Sequence, residues 1–275
     1  MHDSQQWWEE FWAEQGPGNL TKNGHGATCW NDLVWRVNLE YWRDLFDKQA
    51  PGRKMLECGC GSAKLSQFMA HNGYQCSLLD YSENALHQGK KAFSAQSLSG
   101  DFYIGDMSQL CFPDNSFDIV FSGGVLEFFD DVRKPIGEMV RVLKPGGIFA
   151  SNMVPRKISI QTIADFERTL VYSCRNLVKG RFSEVFRRVE SVPRHFGVNP
   201  MPLQGYIDVC RQTQLESVVG LVMTPFPNLA LPKVGKILYA RFMSEMMPFW
   251  QKFNVSKRRW TEICGILYTI YGTKK

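Results

Sequence analysis

The stretch Met55-Leu56-Glu57-Cys58-Gly59-Cys60-Gly61-Ser62-Ala63-Lys64-Leu65-Ser66 reads as a short apolar strand, a Gly-x-Gly turn and a helix that starts at once. Glycines let the backbone pass close to a ligand, and the free N–H groups at a helix amino terminus suit a nucleotide-like one. Nineteen residues after Gly61, at the end of the next apolar run, stands Asp80, at the spacing where an acid accepts hydrogen bonds from ribose hydroxyls. The dinucleotide fingerprint G-x-G-x-x-G, counted from Gly59, requires a third glycine where Lys64 stands. That side chain hinders the close packing of a pyrophosphate site, and the acid Glu57 suits an amine-bearing ligand better than a diphosphate.

Outward from this turn the chain alternates β-like runs with helix-period segments, the pattern of a parallel sheet covered on both faces. Strands are predicted at 54–58, 74–79, 102–104, 117–122, 147–153, 216–223 and 264–272, the last antiparallel and inserted beside 216–223. Helices are predicted at 63–71, at 83–94 after the capping sequence Asp80-Tyr81-Ser82-Glu83, at 133–143 before Lys144-Pro145-Gly146-Gly147, and at 202–214. The expected fold is α/β, a Rossmann-like seven-stranded sheet with helical cap insertions. Its parts are an aromatic helical arm or lid at 1–53, a core at 54–155 continued at 201–224 and 263–275, a helical cap at 156–200 and a basic amphipathic insertion at 225–262.

The core resembles the class I S-adenosylmethionine-dependent methyltransferases, within the broad small-molecule group whose first strand ends in E/D-x-G-x-G. The resemblance rests on MLECGCG, on YIGDM, and on FPDNSFDIVFSGGVLEFF followed by VRVLKPGGIF. It implies S-adenosylmethionine as cofactor. Glu57, Gly59 and Gly61 match the motif that holds its methionine part, Asp80 with Tyr81 the ribose contacts, Asp106 and Met107 the adenine contacts, and Ser122 and Gly123 the strand tip beside it. His195 resembles a histidine carried ahead of the same helix toward the methyl acceptor, and it is the candidate catalytic residue. Two other readings stay open: a nicotinamide-dependent oxidoreductase, which Lys64 and the Asp106-Met107 pair oppose, and a non-catalytic binding subunit, which the intact acids oppose.

Glu127, after the fourth strand, reads either as facing the site or as a solvated residue in an apolar helix start. His25 is a weaker acceptor-side candidate. Eight dispersed cysteines with no C-x-x-C, and five histidines with no H-E-x-x-H, give no basis for a metal site. No N-P-P-Y follows the fourth strand, which disfavours methylation of nucleic-acid bases or amide nitrogens. No nucleic-acid partner is expected.

The net charge of +5 conceals a division: residues 1–155 carry 13 Lys/Arg against 19 Asp/Glu, residues 156–275 carry 19 against 8. A basic second half favours an anionic partner. Charge does not choose among a phosphorylated substrate, an acidic lipid surface and nucleic acid; the resemblance implies a small-molecule acceptor, anionic or lipid-linked, methylated at O, N or C. For 225–262 the readings are packing on the core, a lid for a long apolar substrate, or peripheral contact with anionic lipid. The longest uncharged apolar stretch, Ser217 to Pro232, is broken by three prolines, so no spanning helix is expected. The acidic, Trp-rich amino terminus lacks the form of a secretory signal, and a cytoplasmic location is expected.

Overall fold

The computed structural model describes residues 5–14, 30–155, 160–183, 185, 199–223, 229, 231–254 and 265–275. Seven strands form one sheet: β1 Lys54–Cys58, β2 Gln75–Asp80, β3 Asp101–Ile104, β4 Phe117–Gly123, β5 Leu143–Met153, β6 Leu215–Met223 and β7 Leu267–Lys274. Their order across the sheet is β3-β2-β1-β4-β5-β7-β6. The first five strands pair in parallel, and β7 runs antiparallel between β5 and β6. The expected sheet and its reversed last strand are both present.

The described helices are α1 Gln5–Glu14, α2 Trp30–Gln49, α3 Lys64–His71, α4 Glu83–Ser94, α5 Arg133–Arg141, α6 Ile160–Val178, α7 Leu203–Arg211, α8 Lys233–Glu245 and α9 Met247–Asn254. Strands β1, β2 and β4 are buried almost end to end, as a parallel sheet covered on both faces requires. One face packs Met55, Leu78 and Ile119 against α2, α3 and α4. The other packs Leu56, Val120 and Phe149 against Ile136 and Met139 of α5 and Tyr206 of α7.

Within α2, Trp42 is buried, stacked on Phe46 at 5.6 Å between ring centroids and edge-on to Phe121 at 5.3 Å. Removing an aromatic side chain from such a core costs about 3–5 kcal/mol. Helix α2 therefore belongs to the cover of the sheet. Helix α1 reaches the loops at the strand ends, where the Gln5 side chain donates to the Tyr81 carbonyl at 3.2 Å.

Two boundaries differ from expectation for local reasons. Helix α5 stops at Arg141, and Leu143 already pairs with Phe117, so Lys144–Gly147 is a bulge inside β5 and not a gap before it. Gly146 takes the left-handed φ of 74° that the bulge needs, and Ile148 then resumes pairing with Ile119. Asp118 ties this end of the sheet together, accepting from Lys144 Nζ at 2.8 Å and from the Lys54 N–H at 2.9 Å. In the basic amphipathic insertion, the helical stretch is divided at Met246 into α8 and α9. Pro248 stands in the first turn of α9, where a missing N–H is no loss.

Candidate active site

The backbone of the Gly-x-Gly turn folds back onto β2. Gly59 and Cys60 donate their N–H groups to the Leu79 carbonyl at 2.8 and 3.1 Å, and the Gly61 N–H donates to Asp80 Oδ2 at 2.7 Å. Gly59 and Gly61 have φ of 69° and 50°, a left-handed region that side chains disfavour. Space is also limiting: a Cβ on Gly59 would strike Val125 after β4, and one on Gly61 would lie 2.5 Å from Trp12 Cζ2. The turn is a cradle walled by Val125 and by α1.

Glu57, expected to face an amine, turns Oε2 to the protein itself. That oxygen accepts from the Ser66 N–H at 3.1 Å and from Ser66 Oγ at 2.5 Å, which caps the start of α3. Burial pushes this carboxyl up to about 7, opposed by the Ser66 bonds and reinforced by the negative field of Asp80. Its geometry explains the acid at the end of β1 as the fastener between the turn and the helix.

Asp80 is the last residue of β2 and is buried, with Oδ1 accepting from the Ser82 N–H at 3.0 Å and Oδ2 from Gly61. Burial raises its pKa, against the lowering effect of bonds from the Ser82, Gly61 and Tyr81 backbone. Each carboxylate oxygen keeps a second lone pair for a hydroxyl donor. The Tyr81 side chain is exposed; Asp106, also exposed, accepts from the Ser108 N–H at 2.7 Å, and Met107 beside it is buried. Gly123 is exposed at the tip of β4, while Ser122 is fully buried, its Oγ without a partner among the described residues. Gly59, Gly61, Asp80, Asp106 and Gly123 thus gather at the carboxyl ends of four neighbouring strands, the crevice where open α/β sheets take ligands.

Helix α1 crosses this crevice. Trp8 meets Phe128, beyond β4, edge-on at 5.1 Å, and Trp12 stands over Gly61. At the other side Glu9 caps α4: its carboxylate accepts from Ser82 Oγ at 2.9 Å and from the N–H groups of Glu83 and Asn84 at 2.5 and 3.1 Å. Partial burial disfavours the charge of Glu9, but the bonds from Asn84, Glu83 and Ser82 outweigh it and hold the carboxyl below the usual range. Nothing local in the sequence marks Glu9 for this role, because its partners stand more than 70 residues away.

Glu127 is a residue whose place the sequence left open. It lies in a short 3-10 turn, Leu126–Phe128, and is 2% exposed, not solvated. Oε1 accepts from the Val154 N–H at 2.9 Å, and Oε2 has no partner among the described residues. Burial pushes the carboxyl up to about 7, against the lowering effect of the Val154 N–H and of its own backbone N–H. The Glu127 carbonyl accepts from the Asn199 N–H at 2.7 Å, and Asn199 Nδ2 donates to the Phe129 carbonyl at 2.8 Å, pinning the start of the α7 segment onto this turn. His195 and His25 lie outside the described residues. Among the described residues no group of three His, Cys, Asp or Glu side chains could hold a metal.

Sheet order and reversed seventh strand give the Rossmann-like fold of the class I S-adenosylmethionine-dependent methyltransferases, with the glycine cradle at its carboxyl edge. Residues 56–151 match the family described as a methyltransferase domain. The ubiquinone/menaquinone biosynthesis C-methyltransferase of Desulfotalea psychrophila is 33% identical over 149 residues, 50% of this chain and 59% of that protein. The malonyl-[acyl-carrier protein] O-methyltransferase of Serratia marcescens is 30% identical over 98 residues, 36% of this chain and 37% of that one. The chain thus spans less than two thirds of these curated relatives. Among solved structures, the Haemonchus contortus phosphoethanolamine N-methyltransferase 2 in complex with S-adenosyl-L-methionine shares the fold, with a TM-score of 0.57 over 100% of this chain and 58% of that one at 16% identity. The cofactor of the class is S-adenosylmethionine. Residues of this chain fit it: a glycine cradle for an amino-acid end, a buried acid at the end of β2 for a ribose, and an acid with an apolar neighbour after β3 for a base.

Proposed function

We propose that the chain transfers a methyl group to a small, lipid-linked acceptor, and that 54–155, 201–224 and 263–275 form its cofactor-binding core. The observation that carries the reading is the Gly61–Asp80 hydrogen bond beneath α1, which joins the glycine cradle to the buried acid at the end of β2 under a cover. In this reading Glu57, Gly59 and Gly61 shape the seat for the methionine part. Asp80 and Tyr81 take the ribose, Asp106 and Met107 the adenine, and Ser122 and Gly123 flank the sulfonium. When bound, the cofactor supplies an electrophilic methyl group. The protein supplies position and the exclusion of water, for which α1 is placed. His195, four residues before Asn199, is assigned to the acceptor side.

Two observations support an acceptor presented by a lipid surface. Helix α8 buries Ala240 and Met243 while Val234, Ile237, Leu238 and Phe242 stand exposed along its outer side. The insertion 225–262 carries seven Lys/Arg against two Asp/Glu, a charge suited to anionic lipid. Among the described residues no helix is long and apolar enough to cross a membrane, so the contact is peripheral. The relatives named for quinone C-methylation and for malonyl-[acyl-carrier protein] O-methylation differ in the atom they methylate. Incubation of methyl-labelled S-adenosylmethionine with reduced demethylmenaquinone in anionic vesicles and, side by side, with a malonyl thioester tests the reading. Label in the quinone supports it; label passing only to a malonyl thioester overturns the lipid-linked acceptor.

A further inference from the structure

We propose that Glu127 takes the proton of the methyl-accepting group, and that this group is an uncharged hydroxyl on a flat, apolar molecule. The inference deepens the methyltransferase reading and rests on it. Glu127 lies just beyond the carboxyl ends of β4 and β5, where Oε1 is fixed by the Val154 N–H and stands 3.9 Å from the place a Cβ on Gly124 would take. Oε2 is buried with no partner among the described residues. A buried carboxylate oxygen left unpaired is strongly unfavourable, and a hydroxyl donor is the group that matches it. Two more buried oxygens without described partners, Ser122 Oγ and Ser151 Oγ, belong to register partners lower on the same two strands. Polar demand is therefore concentrated at the ends of β4 and β5.

Charge and shape narrow the acceptor. None of the described lysines, arginines or histidines pairs with Glu127, so a carboxylate or phosphate as reacting group would meet an unscreened like charge. The titratable side chain that senses it is Tyr206 of α7, whose own pKa is raised, chiefly by burial and secondly by Glu127. The adjoining walls are aromatic: Phe128 under Trp8, and Trp8 against Phe11 at 5.7 Å. A carboxyl that titrates near 7 is also well placed to accept a proton at neutral pH. The step balances. The acceptor's O–H bond breaks toward Glu127 Oε2, the freed oxygen pair forms the new bond to the methyl carbon, and the carbon–sulfur pair stays on sulfur.

The test is binding, not turnover, with the protein first loaded with S-adenosylhomocysteine. Affinities of 2-naphthol, 2-methoxynaphthalene and 2-naphthoate are compared in the wild type and in Glu127→Gln from about pH 6 to about pH 8.5. A hydrogen bond to a charged group implies that the wild type prefers the naphthol to its methyl ether by about tenfold or more above pH 7. That preference should shrink toward pH 6 and be small and independent of pH in Glu127→Gln. A pH-independent preference shared by both proteins, strongest binding by the naphthoate, or no binding of the naphthol overturns the assignment. Failure of S-adenosylhomocysteine itself to bind would instead overturn the methyltransferase reading. Glu127→Asp, which keeps the charge, should retain the pH-dependent preference; its loss there while the protein stays folded also counts against the proposal.

Discussion

Glu9 and Ser82, 73 residues apart, meet in a 2.9 Å hydrogen bond that fastens the amino-terminal helix to the first turn of α4, two residues beyond Asp80. The same carboxylate serves the backbone of Glu83 and Asn84, so one side chain both caps α4 and holds the cover of the crevice.

Glu9→Ala should therefore have a double effect. Ser82 remains the N-cap, accepting from the Ala85 N–H at 3.2 Å, so the loss should sit at the low end of a cap's cost, about 0.5–1 kcal/mol, seen as a lower unfolding midpoint. Release of S-adenosylhomocysteine, followed by stopped-flow fluorescence, should become faster because α1 is no longer anchored. Unchanged release would show that α1 does not cover the ligand.

Gly61→Ala tests the cradle. The left-handed φ of 50° alone costs a side chain about 1–2 kcal/mol, and the new Cβ would collide with Trp12. The variant should melt earlier and show altered Trp emission. Wild-type stability would mean that the turn relaxes freely.

Stability should fall as pH rises from about 4.5 to about 7. Glu57 and Glu127 have folded-state pKa values raised from 4.5 to about 7. In that window the folded protein holds protons that the unfolded chain has lost, and the unfolded state gains with each step upward. Each full shift of this size corresponds to about 3 kcal/mol, present below the window and lost above it. Glu127→Gln should flatten its share, gaining on the wild type as pH rises. Denaturant unfolding at several pH values measures this, and a slope of opposite sign would contradict the burial of the two acids.

His195→Ala should slow turnover with a true acceptor while leaving cofactor affinity nearly intact. With Glu127 taking the proton, the loss should stay below about 10²-fold. A loss of about 10²–10⁴ is the scale of a general base and would transfer that role to His195.

What the sequence revealed and what it hid follow from the range of the interactions. The Gly59–Gly61 turn, Asp80 and the parallel core are legible because strand, turn and helix starts are local events, and the nineteen-residue spacing spans one βαβ unit. The cap from Glu9 depends on a partner more than 70 residues away, which no local pattern encodes. Glu127 sits among Val125, Leu126, Phe128 and Phe129, where a lone acid ordinarily faces water; only the packing of α7 and the end of β5 buries it. Lys144–Gly147 looks like a helix stop because its residues suit a turn, and its place inside β5 is set by the pairing of Leu143 with Phe117.

Calorimetric titration of S-adenosylhomocysteine into the wild type and Asp80→Ala tests the central claim most directly. Ribose hydrogen bonds to a buried carboxylate are worth about 1.5–3 kcal/mol each, so the account predicts binding by the wild type, with affinity at least about tenfold weaker in the variant. Nicotinamide cofactors should bind neither protein. Equal affinity of the two proteins for S-adenosylhomocysteine, or preferential binding of a nicotinamide cofactor, would contradict it.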